Sequence, residues 1–339
     1  MSKINALIAG STGYIGVQLV KLLVKHKNVN IRYLCGNSSV GKKISFFEKS
    51  LKFKKLPKIK KYNKKFLKDV DVVFTALPNG GAQDISKDLL KKNKLIDLSA
   101  DFRLKKSSDY LKWYKQKHRA KINIKKSIYA IPEITGKKIK KFSLIGCPGC
   151  YPTSILLPLI PLVKKKKIIK KNIIIDSKSG YSGAGRGVHK KYKDKNLYES
   201  LSAYGVGFHR HNSEIQQELN NYGNSKINFL FTPHLTPMFR GILSTIYIDL
   251  DKGSSIDKIQ KIMNHFYRKN KFIKILKNTP ISTNDVINTN NCFISICKTN
   301  YKNKVIIISC IDNLIKGGAG QAIQNMNLKF GFKEQDGLI

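Results

Sequence analysis

The stretch that decides the fold is INALIAGSTGYIG, which covers Ile4–Gly16. Its first six residues form a short apolar run, which is typical of a buried strand in a parallel sheet. Gly10, Gly13 and Gly16 follow at intervals of three, and the next residues, VQLVKLLVKH, carry apolar side chains at helical spacing. A strand, a glycine turn and a helix in this order predict the first unit of a doubly wound parallel sheet.

The rest of the chain extends this pattern and then changes it. NIRYLCG, DVDVVFTALPNG and KLIDLSADFRL read as further strands separated by helical segments, which favours an α/β, Rossmann-like fold. From about residue 147 the strands are longer and turns separate them, which indicates an α+β domain with a mostly antiparallel sheet. We expect a dinucleotide-binding domain at residues 1–147, completed by a C-terminal helix within 312–339, and a catalytic domain at 148–311.

The glycine turn predicts a phosphate-binding loop. Glycines let backbone N–H groups approach a pyrophosphate, and the start of the following helix adds partial positive charge. The spacing is GxxGxxG rather than GxGxxG, so a purely structural tight turn remains the alternative. The expected cofactor-binding residues of this loop are Gly10, Ser11, Thr12, Gly13, Tyr14, Ile15 and Gly16.

The segment after the second strand bears on the choice between NAD and NADP. Sites for NAD usually carry an acidic residue there, which binds the ribose 2′-hydroxyl. This chain has CGNSSVGKK instead, with no acid. The segment therefore predicts NADP(H), and the side chains that offer donors to a 2′-phosphate are Asn37, Ser38, Ser39 and Lys42.

The net charge suggests a protein that binds nucleic acid, but the residue composition argues against it. The formal net charge is +43, with 64 basic and 21 acidic residues, but only seven of the basic residues are Arg. The lysines are scattered, and Asn and Ile are also abundant, as AT-rich codons favour. We expect a solvated lysine surface and no nucleic-acid partner, although such a surface is compatible with the attraction of an anionic substrate.

Nothing in the sequence predicts a membrane protein or a disulfide-rich one. No apolar run approaches the roughly 18 residues that span a bilayer, and the glycine turn near the N-terminus is unlike a cleavage site. The six cysteines lack the spacing of a small secreted domain. We expect a soluble, cytoplasmic protein with no membrane partner.

The segment GCPGCYPT, residues 146–153, places Cys147 and Cys150 three apart. A redox pair has this spacing but belongs to a different fold. A zinc site needs a second pair of ligands, and His209 and His211 lack the usual spacing. A packed turn and a nucleophile at the start of a helix remain open.

A helix start favours the nucleophile. Pro152 suits a first helical turn, and an apolar run follows it, although Pro158 and Pro161 predict a break or kink and therefore a brief helix. A cysteine at a helix N-terminus is favoured as the thiolate. Cys150 is therefore the candidate nucleophile, able to form a thioester with an activated carbonyl, and Cys147 is expected to be a packed small residue.

An acid/base partner is expected in the segment HRHNSEI. His209 and His211 precede a helix that is expected to begin near Asn212 or Ser213, with Glu214 and Glu218 in its opening turns. An imidazole takes up and returns protons near neutral pH. Either histidine fits this role, and His211 is the first choice.

Three arginines are candidates for anion recognition, because guanidinium groups bind carboxylates and phosphates bidentately. Arg103 follows a strand in DLSADFRL, Arg210 lies between the two histidines, and Arg240 lies in PMFRG. A structural ion pair is the alternative role for each.

These motifs together resemble those of the N-acetyl-γ-glutamyl-phosphate reductases, which are related to aspartate-semialdehyde dehydrogenases. The resemblance runs through the whole chain and is carried by GSTGYIG, FTALPNG, DLSADFRL, YAIPEI, PGCYPT, SGYSGAGR, HRHNSEI, FTPHLTPMFRG and DNLIKGGAGQAIQNMN. It implies NADPH-dependent reduction of an acyl phosphate to N-acetylglutamate semialdehyde and phosphate in arginine biosynthesis, with no metal, and a homo-oligomer, dimeric or tetrameric.

The resemblance also implies roles for individual residues. Cys150 becomes the nucleophile, one of His209 and His211 the acid/base, and Arg103 and Arg240 the substrate contacts. The residues that correspond to cofactor-proximal loops are Pro78, Ser182, Gly183 and Asn313, with Arg186 and Lys316 in the same segments.

The chain departs from the family pattern at four positions. Cys147 stands where Asn is frequent, Asn79 where His is usual, Ala130 where Gly is usual and Ser213 where Pro is usual. None of these changes removes a group that the chemistry requires, but Asn79 leaves the contacts of the nicotinamide region undecided. The nearest alternative function is an aspartate-semialdehyde dehydrogenase; a glyceraldehyde-3-phosphate dehydrogenase is less compatible, because it usually carries the acidic ribose contact.

Overall fold

The structure is a computed structural model that describes residues 3–169, 171–186 and 199–339. The chain divides into two compact units. The first consists of Met1–Pro148 and Gly318–Ile339, and the second of Gly149–Gly317.

The first unit is built on a parallel sheet. Its described strands are β1 (Ile4–Ala9), β2 (Val29–Cys35), β3 (Ile59–Lys60), β4 (Val72–Thr75), β5 (Lys94–Asp97), β6 (Ser127–Tyr129) and β7 (Leu144–Gly146). They lie in the order β3-β2-β1-β4-β5-β7-β6, and the pairings along this order are parallel. The chain moves outward from β1 to β2 on one side and then returns to β4 on the other, which makes the β1/β4 edge the topological switch point of a doubly wound sheet.

Helices cover both faces of this sheet. The described helices of the unit are α1 (Tyr14–Leu23), α2 (Gly81–Asp88), α3 (Ser107–Tyr114), α4 (Lys121–Lys125), α5 (Pro132–Thr135) and the C-terminal α9 (Gly320–Phe330). Along β1, Ala6 and Ile8 belong to one buried apolar cluster, whereas Leu7 and Ala9 belong to another. Alternate residues of a strand point to opposite faces, so the continuous apolar run in the sequence reflects a strand that is buried on both sides.

The second unit is built on a mixed sheet. Its described strands are β8 (Ile173–Gly180), β9 (Ser202–Ala203), β10 (Phe229–Thr236), β11 (Ile242–Asp249), β12 (Ile273–Lys277), β13 (Cys292–Lys298) and β14 (Lys304–Ile311). Their order is β12-β13-β14-β11-β8-β10-β9. Within the described residues four pairings are antiparallel, and β8–β10 and β12–β13 are parallel, so the predicted α+β class with a mostly antiparallel sheet is confirmed.

The two faces of the second sheet differ in exposure. The helices of this unit, within the described residues, are α6 (Cys150–Lys164), α7 (Asn212–Gly223) and α8 (Ile256–Tyr267). Ile173 and Ile175 of β8 are fully buried, whereas Ile174 between them is 45% exposed. The neighbours of Ile174 in the strand register, Leu230 and Tyr247, are 67% and 41% exposed. One face therefore carries an exposed row of apolar side chains.

Helix α6 is longer than the sequence predicts. It runs without interruption for 15 residues, through Pro158 and Pro161, so the expectation of a brief helix is wrong. A proline at 161 cannot donate to the carbonyl of Leu157, and the hydroxyl of Tyr267 on α8 donates to that carbonyl at 2.5 Å instead. Residues 151–163 are buried, so tertiary packing and a side-chain hydroxyl together compensate for the missing N–H groups.

A π-helical turn covers Ile315–Ala319. Short 3₁₀ segments make up the remaining described helical structure, at Ile44–Phe46, Lys49–Leu51, Lys64–Asp69, Gly136–Lys141, Tyr181–Ala184 and Thr283–Asp285. None of the described helices combines the length and the apolar character needed to cross a bilayer.

Candidate active site

The glycine turn after β1 forms a tight loop at the switch point of the parallel sheet. Gly10 has φ +84°, and a Cβ there would lie 2.2 Å from the Ala76 carbonyl oxygen; a Cβ on Gly16 would lie 2.1 Å from the carbonyl oxygen of Gly10. Both glycines are therefore required by the packing of the loop itself. The backbone N–H groups of Gly10 and Ser11 both donate to the carbonyl of Cys35, at 3.0 Å.

Gly13 differs from its two neighbours in the motif. It is the N-cap of α1, and a Cβ there would meet only the Gly10 carbonyl oxygen, at 3.7 Å. Packing within the described residues does not require this glycine, which leaves its α-carbon open to the approach of a ligand. The first turn of α1 carries no acidic residue, so its positive dipole end is not neutralised. This loop fits the pyrophosphate of a dinucleotide.

The segment after β2 lies beside this loop. A Cβ on Gly36 would be 3.8 Å from Thr12 Oγ1 and 3.9 Å from the Cβ of Ser39. Asn37 and Ser38 are exposed, Ser39 is buried, and the exposed Lys42 places its ammonium 4.7 Å from the centre of the Phe46 ring. Hydroxyl and ammonium donors without a carboxylate are suited to a 2′-phosphate.

The loop after β4 is fixed by a buried carboxylate. Asp101 accepts hydrogen bonds from the backbone N–H groups of Gly80, Ala82 and Gln83, at 2.8–3.2 Å, and from the hydroxyl of Tyr110 at 2.7 Å. These N–H groups belong to the start of α2, where a carboxylate is stabilised by the helix dipole. The loop thereby held in place contains the exposed Pro78 and the half-buried Asn79.

Cys150 is the first residue of α6, and Gly149 is its N-cap with extended backbone, φ −66° and ψ 160°. The thiol is half-buried. A Cβ on Gly317 would lie 2.7 Å from the Cβ of Cys150, so this glycine lets the backbone after β14 approach the cysteine. The first helical turn places the sulfur where backbone dipoles favour an anion.

His211 and Glu214 lie against the backbone that precedes Cys150. A Cβ on Gly149 would be 2.4 Å from His211 Nε2, and the N–H of Gly149 donates to Glu214 Oε2 at 2.9 Å. The other oxygen, Oε1, is 3.8 Å from His211 Nε2. Glu214 is fully buried and lies in the first turn of α7. Its carboxylate therefore links the start of α7 to the N-cap of α6, and the imidazole of His211 lies beside it.

Cys150 and His211 line a cavity of about 520 Å³. Among the residues that form its wall are Cys150, Tyr151, Tyr204, His209, Arg210 and His211. Burial, and secondarily the charge of Arg210, lowers the pKa of His209 to about 4. The cavity thus combines a thiol at a helix start, two imidazoles of different character, and an exposed guanidinium. This set suits nucleophilic attack by sulfur on a carbonyl of an anionic substrate.

Two family models match the chain. Residues 5–142 match the semialdehyde dehydrogenase NAD binding domain, and residues 150–313 match the semialdehyde dehydrogenase dimerisation domain. The chain is 45% identical to the N-acetyl-gamma-glutamyl-phosphate reductase of Vesicomyosocius okutanii, over 98% of this chain and 96% of that protein. This chain belongs to the N-acetyl-gamma-glutamyl-phosphate reductase family. The resemblance inferred from its motifs is confirmed.

Solved structures more distant than these reductases share the fold. Aspartate semialdehyde dehydrogenase II from Vibrio cholerae superposes with a TM-score of 0.73 at 15% identity, covering 97% of this chain and 99% of that one. The aspartate semialdehyde dehydrogenase of Candida albicans, solved with NADP, gives a TM-score of 0.68 at 19% identity, with 96% and 98% coverage. At these identities the match shows the fold alone, and the expected α/β architecture is confirmed.

In this reductase two of the arginines expected to contact substrate are engaged in other contacts. Arg103 donates from Nε to the Cys147 carbonyl and from Nη2 to the Leu98 carbonyl, each at 2.8 Å. Arg240 donates from Nη1 to Asn288 Oδ1 at 2.7 Å and forms an ion pair with the buried Asp312 at 3.1 Å. Arg210 lies in the cavity wall with Cys150.

The other expected residues of the reductase fall into two groups. Ser182 and Gly183 follow β8, and Asn313 holds them in place, since its Nδ2 donates to Ser182 Oγ at 3.0 Å and its Oδ1 accepts from Gly241 N–H at 2.8 Å. Cys147 is fully buried, and burial raises its pKa to about 12. Its sulfur accepts a hydrogen bond from Asn325 Nδ2, which fits a packed thiol and not a nucleophile.

Proposed function

We propose that this protein reduces N-acetyl-γ-glutamyl phosphate to N-acetylglutamate 5-semialdehyde and phosphate, with NADPH as the reductant and a thioester on Cys150 as the intermediate. The observation that supports it most is the arrangement of Cys150, His211 and Glu214 around Gly149, in a member of this reductase family. The glycine loop of the first unit, with Ser38 and Lys42 after β2, supports NADP(H) as the cofactor. We propose Cys150 as the nucleophile, His211 as the acid/base and the glycine loop at residues 10–16 as the site of the cofactor's pyrophosphate.

The covalent step uses the chain's own groups. His211 takes the thiol proton at Nε2, and the thiolate attacks the γ-carbonyl, forming a C–S bond. The bond from this carbon to the phosphate oxygen breaks, and the leaving phosphate takes the proton from His211. The N–H groups at the start of α6 stabilise the oxyanion of this step.

The reductive step begins from the thioester. The bound cofactor supplies the hydride that reduces the thioester carbon. Collapse of the resulting thiohemiacetal breaks the C–S bond, releases the aldehyde and returns the electron pair to sulfur. His211, which has given its proton to the phosphate, takes up another proton from solvent and passes it to the sulfur, which restores the thiol. Glu214 stabilises the imidazolium whenever it forms.

The two cysteines of the same motif provide a matched test of the nucleophile. We expect Cys150→Ser to bind NADPH normally and to lose at least about 1000-fold in turnover, because an alcohol is a far weaker nucleophile than a thiolate. Cys147→Ser should keep most of the activity, since this side chain is buried and protonated. A mass spectrum of the enzyme with acyl phosphate and no reductant should show an adduct on Cys150; its absence, or an active Cys150→Ser variant, would contradict the proposal.

Substrate and cofactor are tested by the reverse reaction. The phosphate-dependent reduction of NADP should proceed with N-acetylglutamate semialdehyde and at least about 100-fold more slowly with aspartate semialdehyde. A preference for aspartate semialdehyde would favour the alternative function. With NAD in place of NADP the KM for the cofactor should be much higher. Lys42→Met should raise the KM for NADP and leave the KM for NAD unchanged.

We also propose that the protein is a homo-oligomer that uses the open face of the second sheet. Leu230, Ile174 and Tyr247 are register neighbours on this face and are 41–67% exposed, and such a row marks an interaction surface. The matching family model is described as a dimerisation domain. Tyr247→Lys should shift the mass measured by light scattering to that of a monomer, whereas Phe53→Lys, at an aromatic residue of the first unit that is 90% exposed, should not.

A further inference from the structure

His209 lies within a cluster of aromatic rings. The ring centres of Tyr204, Tyr151 and Phe231 are 5.4, 5.6 and 5.7 Å from that of His209, and each ring is oriented edge to face. The ring of His211 is 4.8 Å away. Tyr151 comes from α6 and Phe231 from β10, so side chains of different elements enclose the imidazole. Apolar surroundings of this kind disfavour a charged ring.

The hydrogen bond of His209 defines its tautomer. Its Nδ1 accepts the backbone N–H of His211 at 3.2 Å. A nitrogen that accepts a hydrogen bond cannot carry a proton, so the ring is neutral with its proton on Nε2. Protonation would place a hydrogen on both nitrogens and would break this contact.

The charged and titratable groups around His209 also disfavour its protonation or leave it unchanged. Arg210, its neighbour in the chain, lowers the pKa of His209 further, to about 4 in total. Burial raises the pKa of Tyr151, and the hydroxyl of Tyr204 donates to that of Tyr151 at 3.1 Å, so these two facing groups stay uncharged. His209 is therefore neutral throughout the pH range in which enzymes usually work.

His211 has different surroundings. Its Nε2 lies against Gly149 and 3.8 Å from the buried Glu214 carboxylate. The two histidines of the HRH motif thus have different neighbours, an aromatic cluster around His209 and a buried carboxylate beside His211, although they are only two residues apart.

We infer that His209 is a positioning residue: its neutral imidazole accepts the His211 N–H and fixes the backbone that carries the single acid/base, His211, beside Gly149 and Cys150. This inference rests on the proposed function for the reaction that His211 serves. It assigns the proton transfer to one histidine and the geometry to the other.

Alkylation of Cys150 by iodoacetamide tests the inference without any substrate. The rate should rise with pH as the thiolate forms, and a nearby imidazolium moves this rise to lower pH. In His209→Asn the Oδ1 can accept the same N–H, so the rise should occur at the wild-type pH. In His211→Asn it should occur about one pH unit higher. If His209→Asn shifts the profile as far as His211→Asn does, the inference is wrong.

Turnover separates positioning from proton transfer. His211→Asn should lose about 100- to 10,000-fold in kcat, the usual contribution of a general acid/base. His209→Leu fills the aromatic cluster but lacks an acceptor, and should lose about 10- to 100-fold through misplacement of His211, with an unchanged pH profile. His209→Asn should recover most of that loss; recovery by His209→Leu but not by His209→Asn would overturn the inference.

A spectroscopic measurement on the unaltered enzyme guards against variants that fail to fold. With ¹⁵N-labelled histidine, the imidazole of His209 should give the signals of a neutral Nε2–H ring at pH 6, and a protonated ring at that pH would contradict the inference. Alkylation and spectra require no turnover. If the alkylation profiles and the spectra are as expected but the enzyme does not reduce the acyl phosphate, the proposed function is refuted and the positioning role of His209 stands.

Discussion

Gly149 and His211 are in such close contact that a single methyl group would not fit between them: a Cβ on Gly149 would lie 2.4 Å from His211 Nε2. The backbone of Gly149 is in an extended conformation that any residue can adopt, with φ −66°. Glycine is therefore required here for space and not for its dihedral freedom. The imidazole lies directly on the chain that leads to the nucleophile.

The substitution Gly149→Ala tests this contact. The methyl group should push the imidazole away, and kcat/KM should fall about 100-fold, the order expected for a displacement near 1 Å at a reacting group. The control is the same substitution in a His211→Ala background, in which the clash no longer exists. A double-mutant cycle should show strong coupling; equal losses in both backgrounds would mean that the methyl group acts elsewhere.

Glu214 and Glu218 form a matched pair on α7, one turn apart and both buried. Glu214→Gln keeps an oxygen for the Gly149 N–H but removes the charge that faces His211. We expect kcat to fall about 10- to 100-fold, since hydrogen bonds to charged groups contribute roughly 1.5–3 kcal/mol. Glu218, which accepts from Gln217 Nε2 at 2.9 Å, should tolerate Gln with little change in kcat. Equal effects at the two positions would remove Glu214 from the site.

We expect Arg210, which lies in the wall of the cavity with Cys150, to anchor the substrate. Arg210→Met should raise KM for the acyl phosphate about 10- to 100-fold and lower kcat less, because a guanidinium that binds a carboxylate contributes mainly to binding. Arg268→Met, at the exposed C-terminus of α8, provides the control for loss of one positive charge. Steady-state kinetics at constant ionic strength distinguish the two; the hypothesis fails if both variants raise KM alike.

The net charge of +43 predicts a salt effect on association. A strongly positive protein attracts anions, and this attraction weakens as the Debye length falls from about 30 Å at 0.01 M to about 8 Å at 0.15 M salt. The rate of alkylation of Cys150 by iodoacetate, an anion, should therefore fall severalfold over this range. The neutral iodoacetamide serves as the control and should react at a nearly constant rate. A parallel response of both reagents would exclude attraction by the field of the protein.

Local patterns in the sequence predicted the main elements because each is encoded by adjacent residues. The run INALIA became β1 at Ile4–Ala9, and the helix expected near Asn212 or Ser213 begins at Asn212. Spacing and residue type sufficed for the candidate roles of Cys150 and the HRH motif. These signals do not depend on distant parts of the chain.

The contacts that complete the site could not be predicted in this way. Glu214 was expected only as a residue of a helix start, and its hydrogen bond to Gly149 joins positions 65 residues apart. The approach of Gly317 to Cys150 and the capping of α2 by Asp101 likewise depend on the folded chain. A sequence pattern reports which groups are present, whereas their partners are decided by tertiary packing.

The proline at 161 ties the nucleophile's helix to a distant part of the protein. The carbonyl of Leu157 has its hydrogen bond from Tyr267, and these two residues are separated by 110 positions. If Pro161 alone is replaced, the new backbone N–H competes with the Tyr267 hydroxyl for the Leu157 carbonyl. If Tyr267 alone is replaced by an apolar residue, this buried carbonyl loses its donor. In relatives of this chain the two positions should therefore covary: where proline is present at 161, tyrosine should be present at 267, and the two should be lost together.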